Sequence, residues 1–270
     1  MIIDSHAHIG KLPPFDMTTE QILCSMERCG IDFTLFSNIE GAEFDHERNP
    51  VPPSFCKPQN QILKETIKEA RKAPDKLGVL PWLRIYNEQP DEEFKNLIKE
   101  NRDIIYGLKI HPYHACVAPD SERLEPVYRL AAEFDLPIES HTGGCEEAMS
   151  VHLYNAAKRH PEINFIMVHM DLGTDNSHAL DLLGKLPNLY GDTTWVPVKT
   201  TVEAIRRYGS EKMLFGTDNP IDGPDTLLHN QKGERSLYQQ YFNELKKLIS
   251  EADYKNLMYK NAVKLFGINI

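Results

Sequence analysis

The chain opens with Ile2-Ile3-Asp4-Ser5-His6-Ala7-His8-Ile9, and the reading of this stretch decides the fold. Its β-branched lead and period-two alternation predict a strand over 2–9. An open doubly wound sheet would place a glycine-rich turn after its first strand. Here the strand ends in His-Ala-His instead. Working outward, further short apolar runs predict strands over 32–38, 77–85, 104–111, 137–142, 164–171, 189–194 and 213–218. Between them lie stripes with spacings of 3 and 4, such as Leu124, Val127, Tyr128, Leu130, Ala131 and Phe134, or Leu237, Tyr241, Leu245, Leu248 and Ile249, which predict amphipathic helices. Helix starts carry caps at Thr18-Thr19-Glu20-Gln21, at Asp91-Glu92-Glu93 and at Ser236. Strands that alternate with helices must run parallel, because each needs a crossover to return. Eight such units suit about 250 residues, and the chain has 270. The expectation is therefore an α/β protein, a single (β/α)8 TIM barrel over residues 1–270. The stretches 40–58, 112–121 and 219–234 follow strands and are expected to form loops on the carboxyl face.

Composition narrows the function. Hydrophobic residues make up 41% and charged residues 26%, an ordinary globular balance. The excess of 40 Asp+Glu over 30 Lys+Arg gives a net charge of −10, which argues against nucleic acid or anionic membranes as partners. No apolar run approaches the roughly 18 residues that span a bilayer, and the start lacks the basic and apolar regions of a secretory signal. Cys24, Cys29, Cys56, Cys116 and Cys145 are odd in number and form no CxxC, so reduced thiols in a cytoplasmic protein are expected.

His6 and His8 share one face of the first strand. Two imidazoles about 7 Å apart along a strand can chelate one divalent ion. His141 ends the fifth predicted strand, His169 the sixth and Asp218 the eighth, all where barrel active sites are built. Each alone could be a polar strand end bonded to a loop. Together they would crowd buried polar groups without partners unless they hold a cation.

The order of these residues resembles the amidohydrolase superfamily of metal-dependent barrels, in particular the branch with the aminocarboxymuconate-semialdehyde-decarboxylase-like enzymes. The motifs that carry the resemblance are Gly107-Leu108-Lys109-Ile110-His111-Pro112, Leu136-Pro137-Ile138-Glu139-Ser140-His141-Thr142-Gly143, Phe215-Gly216-Thr217-Asp218-Asn219-Pro220 and the closing stretch Met258–Gly267 with its Asn261-Ala262 pair. The resemblance implies His6, His8, His141 and Asp218 as ligands of one ion and Asp218 as general base. It implies that His169 ligates a second ion or bonds the reactive water or substrate. One ion is favoured and two are possible. Zinc suits the ligands, with manganese or iron as alternatives. Lys109 shares a strand face with His111 and has three readings: a buried partner of Glu139, a carboxylated bridge between two metals, or a clamp on a substrate carboxylate. A glutamate stands near this position in deoxyribonuclease members; Lys109 and the net charge of −10 argue against that activity.

His111 and Trp195 are further candidates for substrate contact. Asp4 and Glu139 lie one layer deeper, where carboxylates orient metal-bound histidines. Asp171 follows His169 by two and could share its cavity. His46, His114 and His229 fall in loops on the presumed active face, while His152, His160, His178, Trp82 and Tyr86 read as packing or surface residues. The leading function is hydrolysis of an amide, ester or lactone bond of a small molecule. The alternative is metal-dependent non-oxidative decarboxylation, or hydration, of a small carboxylated substrate. A homodimer is the default assembly.

Overall fold

The structure, a computed structural model, describes residues 1–221 and 237–269. Most of the expected loop over 219–234, the Ser236 cap and His229 lie outside these residues. The strands are β1 (Ile3–Leu12), β2 (Phe15–Met17), β3 (Phe33–Asn38), β4 (Leu77–Val79), β5 (Leu108–Ile110), β6 (Ile138–Gly143), β7 (Phe165–Leu172), β8 (Leu189–Asp192) and β9 (Met213–Leu214). The helices are α1 (Thr19–Cys29), α2 (Gln59–Ala70), α3 (Glu92–Glu100), α4 (Pro112–Ala115), α5 (Glu125–Phe134), α6 (Ser150–Arg159), α7 (Ser177–Leu183), α8 (Val198–Tyr208), α9 (Leu237–Asn243), α10 (Glu251–Lys255) and α11 (Asn261–Phe266).

Two hydrogen-bonded sheets, β2-β1-β3-β4 and β5-β6-β7-β8-β9, join into one barrel. Parallel bridges Val79–Ile105 and Trp82–Lys109 link β4 to β5. On the other side Ser5 N–H donates to Phe215 O, Asp218 N–H to His6 O and His8 N–H to Asn219 O, each at 2.8 Å. The eight parallel strands close a (β/α)8 barrel. Beyond the expected pattern, β1 runs on to Leu12 and folds back antiparallel into β2. Several strands are shorter than expected: the run expected over 77–85 keeps ladder pairing only at Leu77–Val79, and that over 213–218 only at Met213–Leu214. Pro81 and the positive φ of Asp218 (65°) interrupt the extended backbone there.

Local chemistry sets the helix ends. Thr18 and Gln21 form a reciprocal capping box on α1. Asp91 accepts from Phe94 N–H at 2.8 Å to start α3. Outside the barrel, the apolar stripes of the helices pack on the strands, with Phe36, Val79, Leu108, Ile138 and Met167 buried among Ile22, Leu63, Phe94, Val127 and Leu153. A second cluster joins the strand beginnings Ile3, Phe33, Leu35, Ile166 and Leu214 to Ala262, Phe266 and Ile268, closing the amino-terminal end. Asn261 ties this closure together by donating to Ser210 O and Met213 O at 2.7 Å. Among the described residues no helix is long and apolar enough to cross a membrane, and all five cysteines are free thiols.

Candidate active site

Alternation along β1 turns His6 and His8 to the barrel interior, and Asp218 reaches them from beyond β9. His8 Nε2 lies 3.1 Å from His6 Nε2 and 3.1 Å from Asp218 Oδ1, and His6 Nε2 lies 3.2 Å from the same oxygen. Ligands held 2.0–2.1 Å from a common ion would stand roughly 2.8–3.4 Å apart, octahedral to tetrahedral. The three donors already have that spacing. A ligand atom of His169 also lies within 4.8 Å of one in His6 and one in Asp218. These residues fit a divalent cation, with nitrogen and carboxylate donors of the kind zinc, manganese and iron accept.

A second layer fixes the donors. His6 Nδ1 is 2.9 Å from Glu139 Oε2 and 3.1 Å from Lys109 Nζ, which itself donates to Glu139 Oε2 at 3.3 Å. His8 Nδ1 is 2.9 Å from Ser37 Oγ. His169 donates from Nδ1 to Thr194 O at 3.2 Å, leaving its Nε2 as a lone pair. Trp195 Nε1 donates to Asp218 Oδ2 at 2.9 Å. Burial pulls His8 down to about 4 and His169 down to about 3, so both rings are neutral at pH 7. Burial and Lys109 also oppose charge on His6, but Glu139 and Asp218 outweigh them and hold it at about 9. For Asp218, burial is overcome by the His6 and His8 donors, which keep the carboxyl well below its ordinary range. Glu139 behaves likewise, lowered to about 2 against its burial by Lys109 and His6. Burial raises Asp4 and Asp192 to about 7.

Above this floor opens a cavity of about 480 Å³ whose wall includes His8, Phe15, Trp82, His111, His141, His169, Trp195 and Asp218. Six rings, five of them on its wall, form a closed circuit of contacts. In order of contact, with centroid separations, they run His6–His8 (4.7 Å), His8–Trp82 (5.8 Å), Trp82–His111 (4.8 Å), His111–His141 (4.1 Å), His141–His169 (4.7 Å) and His169–His6 (5.7 Å).

A sequence model described as "Amidohydrolase" matches residues 3–268. The chain belongs to the amidohydrolase family. No match was found among curated proteins. Among solved structures, a 2,6-dihydroxybenzoate decarboxylase from Rhizobium is similar at 17% identity and a TM-score of 0.70, covering 98% of each chain. A dihydroxybenzoic acid decarboxylase from Polaromonas sp. JS666, with bound manganese and the inhibitor 2-nitroresorcinol, is similar at 16% identity and a TM-score of 0.71, covering 100% of this chain and 97% of that one. A probable 2-pyrone-4,6-dicarboxylic acid hydrolase from Acinetobacter baumannii, with citric acid bound, is similar at 14% identity and a TM-score of 0.65, covering 99% of each.

Within this amidohydrolase, the sequence candidates fall in different places. His6, His8, Asp218 and His169 converge. His141 faces the same cavity, stacked on His111, but its Nε2 donates to Gly143 O at 3.2 Å rather than joining the other donors. Lys109 is fully buried below His6 and absent from the cavity wall, so the pairing with Glu139 describes its surroundings and direct substrate contact does not. His111 and Trp195 stand on the wall. Asp171 does not share the cavity: it accepts from Ser150 N–H and Oγ–H at 2.6 Å, at the start of α6. The reason is that His169, Met170 and Asp171 all have positive φ (69°, 49° and 68°), so strand alternation fails there. Asp4 binds Thr217, accepting from its Oγ1–H at 2.6 Å and its N–H at 3.0 Å.

Trp82 packs in a core cluster with Leu12 and Ile39, as its packing reading expects, and also joins the ring circuit. His46 and His114 line the cavity with Tyr113 and Phe15. The signal for His114 was its place in Pro112-Tyr113-His114 after β5. For Trp82 and Phe15 none was legible.

Proposed function

We propose that this amidohydrolase is a metal-dependent hydrolase of a small planar ester, lactone or amide. The carrying observation is the Asp218 carboxylate, ionised in burial, with Oδ1 on the two β1 imidazoles and Oδ2 on the Trp195 indole at the cavity wall. His6, His8 and Asp218 would hold a divalent ion, with His141 and His169 at hand; zinc is our reading, as the tighter binder in the affinity order. When bound, the ion supplies Lewis acidity that polarises a carbonyl and acidifies water. Asp218 takes the proton as the bond from the water oxygen to the carbonyl carbon forms. It returns that proton to the leaving oxygen or nitrogen as the old bond to the carbonyl carbon breaks. His169, neutral with its Nδ1 proton on Thr194 O, presents a lone pair and acts as ligand or acceptor. The partner is a small molecule, and the free cysteines suit a reducing cytoplasm.

The aromatic side chains on the wall, Phe15, Trp82, Tyr113 and Trp195, favour a second reading, non-oxidative decarboxylation of a planar aryl acid, because aromatic side chains pack well against aromatic rings. Metal analysis and a panel of lactones, aryl esters and aryl acids on the zinc- or manganese-loaded chain separate the two. Acid release without CO2 supports hydrolysis; CO2 release supports decarboxylation; no turnover with a full complement of metal overturns both. Asp218→Asn should lower turnover by about 10²–10⁴-fold with unchanged circular dichroism; activity near wild type refutes the base.

A further inference from the structure

His111 and His114 carry complementary hydrogen-bonding edges on one cavity wall. His111 Nδ1 accepts from His114 N–H at 3.3 Å, so that nitrogen holds a lone pair and the proton of the neutral ring sits on Nε2. Both faces of the His111 ring are covered, by Trp82 at 4.8 Å and 9° and by His141 at 4.1 Å and 17°. The edge alone is left for a ligand. His114 is the reverse case. Its Nδ1 is 2.7 Å from Phe44 O, and a carbonyl only accepts, so Nδ1 carries the proton and Nε2 the lone pair. The two rings are 4.4 Å apart and both line the cavity. Among the described residues neither Nε2 has a hydrogen-bond partner.

We propose that this pair of rings, 4.4 Å apart on the cavity wall with a donor on His111 Nε2 and an acceptor on His114 Nε2, reads a carboxamide or lactam edge on the substrate. This deepens the reading of a small planar substrate and rests on it. The amide carbonyl accepts from His111 and the adjacent amide N–H donates to His114. A carboxylate in the same place offers only acceptors and faces the His114 lone pair with like polarity, leaving buried polar atoms unpaired. The wall thus selects a neutral donor–acceptor edge over an anionic one.

Matched isosteres test this on the metal-loaded full chain. Dissociation constants for benzoate, the 2-, 3- and 4-carbamoylbenzoates and the corresponding benzenedicarboxylates are measured by titration calorimetry. At least one carbamoylbenzoate should bind about tenfold or more tighter than both benzoate and its own dicarboxylate. The gain should vanish in His111→Phe, which keeps a stacking ring and removes the donor, and in His114→Asn, which keeps a donor for Phe44 O and removes the acceptor. Circular dichroism and metal content check each variant, and the wild-type comparison decides on its own should a variant fail to fold. Equal binding of the isosteres, preference for a dicarboxylate, a gain that survives in both variants, or no binding of any probe overturns the proposal. A carbamoyl preference without turnover of any ester, lactone, amide or acid would sink the proposed reaction and leave this edge standing.

Discussion

Lys109 and Glu139 give the sharpest test of how the floor of the site is built. Both are buried, with 0% and 1% exposure, and Nζ lies 3.3 Å from Oε2. With an effective dielectric constant of about 20, charges 3.3 Å apart attract by about 5 kcal/mol. Taking charge out of water offsets much of that, so the intact pair adds little net stability, but removing Glu139 strands Lys109. Glu139→Gln should therefore cost about 4 kcal/mol, and Lys109→Met less, because Glu139 keeps His6 Nδ1 at 2.9 Å. The double variant should recover most of the loss, lying within about 2 kcal/mol of wild type, because no charge is left unpaired. Urea unfolding of the chelator-treated protein reads this directly. With a slope of about 3 kcal/mol per M for a chain of this size, Glu139→Gln shifts the midpoint down by about 1.3 M, and Lys109→Met by less. The reasoning fails if Glu139→Gln leaves the midpoint in place or raises it. A rise is the expected result if the Lys109 nitrogen were carboxylated, since a second anion beside Glu139 would be relieved by the change.

Three further outcomes follow from single contacts. Gly143 has φ +101°, and an added Cβ would lie 2.1 Å from Leu172 N; Gly143→Ala should cost about 3 kcal/mol or more and lower Tm by about 8 °C or more, and an unchanged Tm would contradict the placement. His114 is held down to about 4, first by burial. The unfolded chain then binds more protons than the folded one between pH 4 and 6.5, so this contribution is complete above about 6.5 and is lost as pH falls to about 4. It amounts to about 3 kcal/mol, and urea midpoints of His114→Asn should fall less steeply than those of wild type across that window; parallel profiles refute it. Trp195→Phe removes the donor to Asp218 Oδ2 and should lower turnover about tenfold with metal content unchanged; a full loss of metal would show instead that the indole maintains the ligand geometry.

The barrel was legible because its rule is global. Strand–helix alternation repeated along the chain, and eight parallel strands were the outcome. What escaped were features that a period cannot encode. β2 is three residues long and pairs through a turn at Pro13-Pro14, too short for alternation to register. His6 and His8 were legible for the same reason the strand was, since two residues apart on β1 means one face. His169 and Asp171 have the same spacing yet part company, because the backbone turns left-handed at both. Trp82 follows Leu80-Pro81 beyond β4, where no pattern says which way a side chain points; only the Trp82–Lys109 bridge does.

That left-handed backbone is itself part of how the site is made. Positive φ at non-glycine residues costs free energy, yet His169, Met170, Asp171, Trp195 and Asp218 all adopt it, at the carboxyl edge of three strand positions. His169, Met170, Asp171 and Asp218 are held by buried bonds. His169 N–H donates to Asp192 Oδ1 at 3.0 Å, Asp171 N–H to Thr142 Oγ1 at 3.0 Å, and Asp218 N–H to His6 O at 2.8 Å. Asn176 Nδ2 further donates to the carbonyls of His169 at 3.2 Å and Met170 at 2.8 Å. A regular extended strand would send successive side chains to opposite faces and leave one inward group per pair. Turning the chain at these points instead brings Asp218 beneath Trp195 and aims His169 across at His6. Loosening these clamps should therefore widen the donor spacing before it unfolds the barrel: Thr142→Val removes the bond to Asp171 N–H and to Val168 O and should weaken metal binding by roughly 10–100-fold, while a variant that loses stability and metal in strict proportion would show the turned backbone to be merely tolerated.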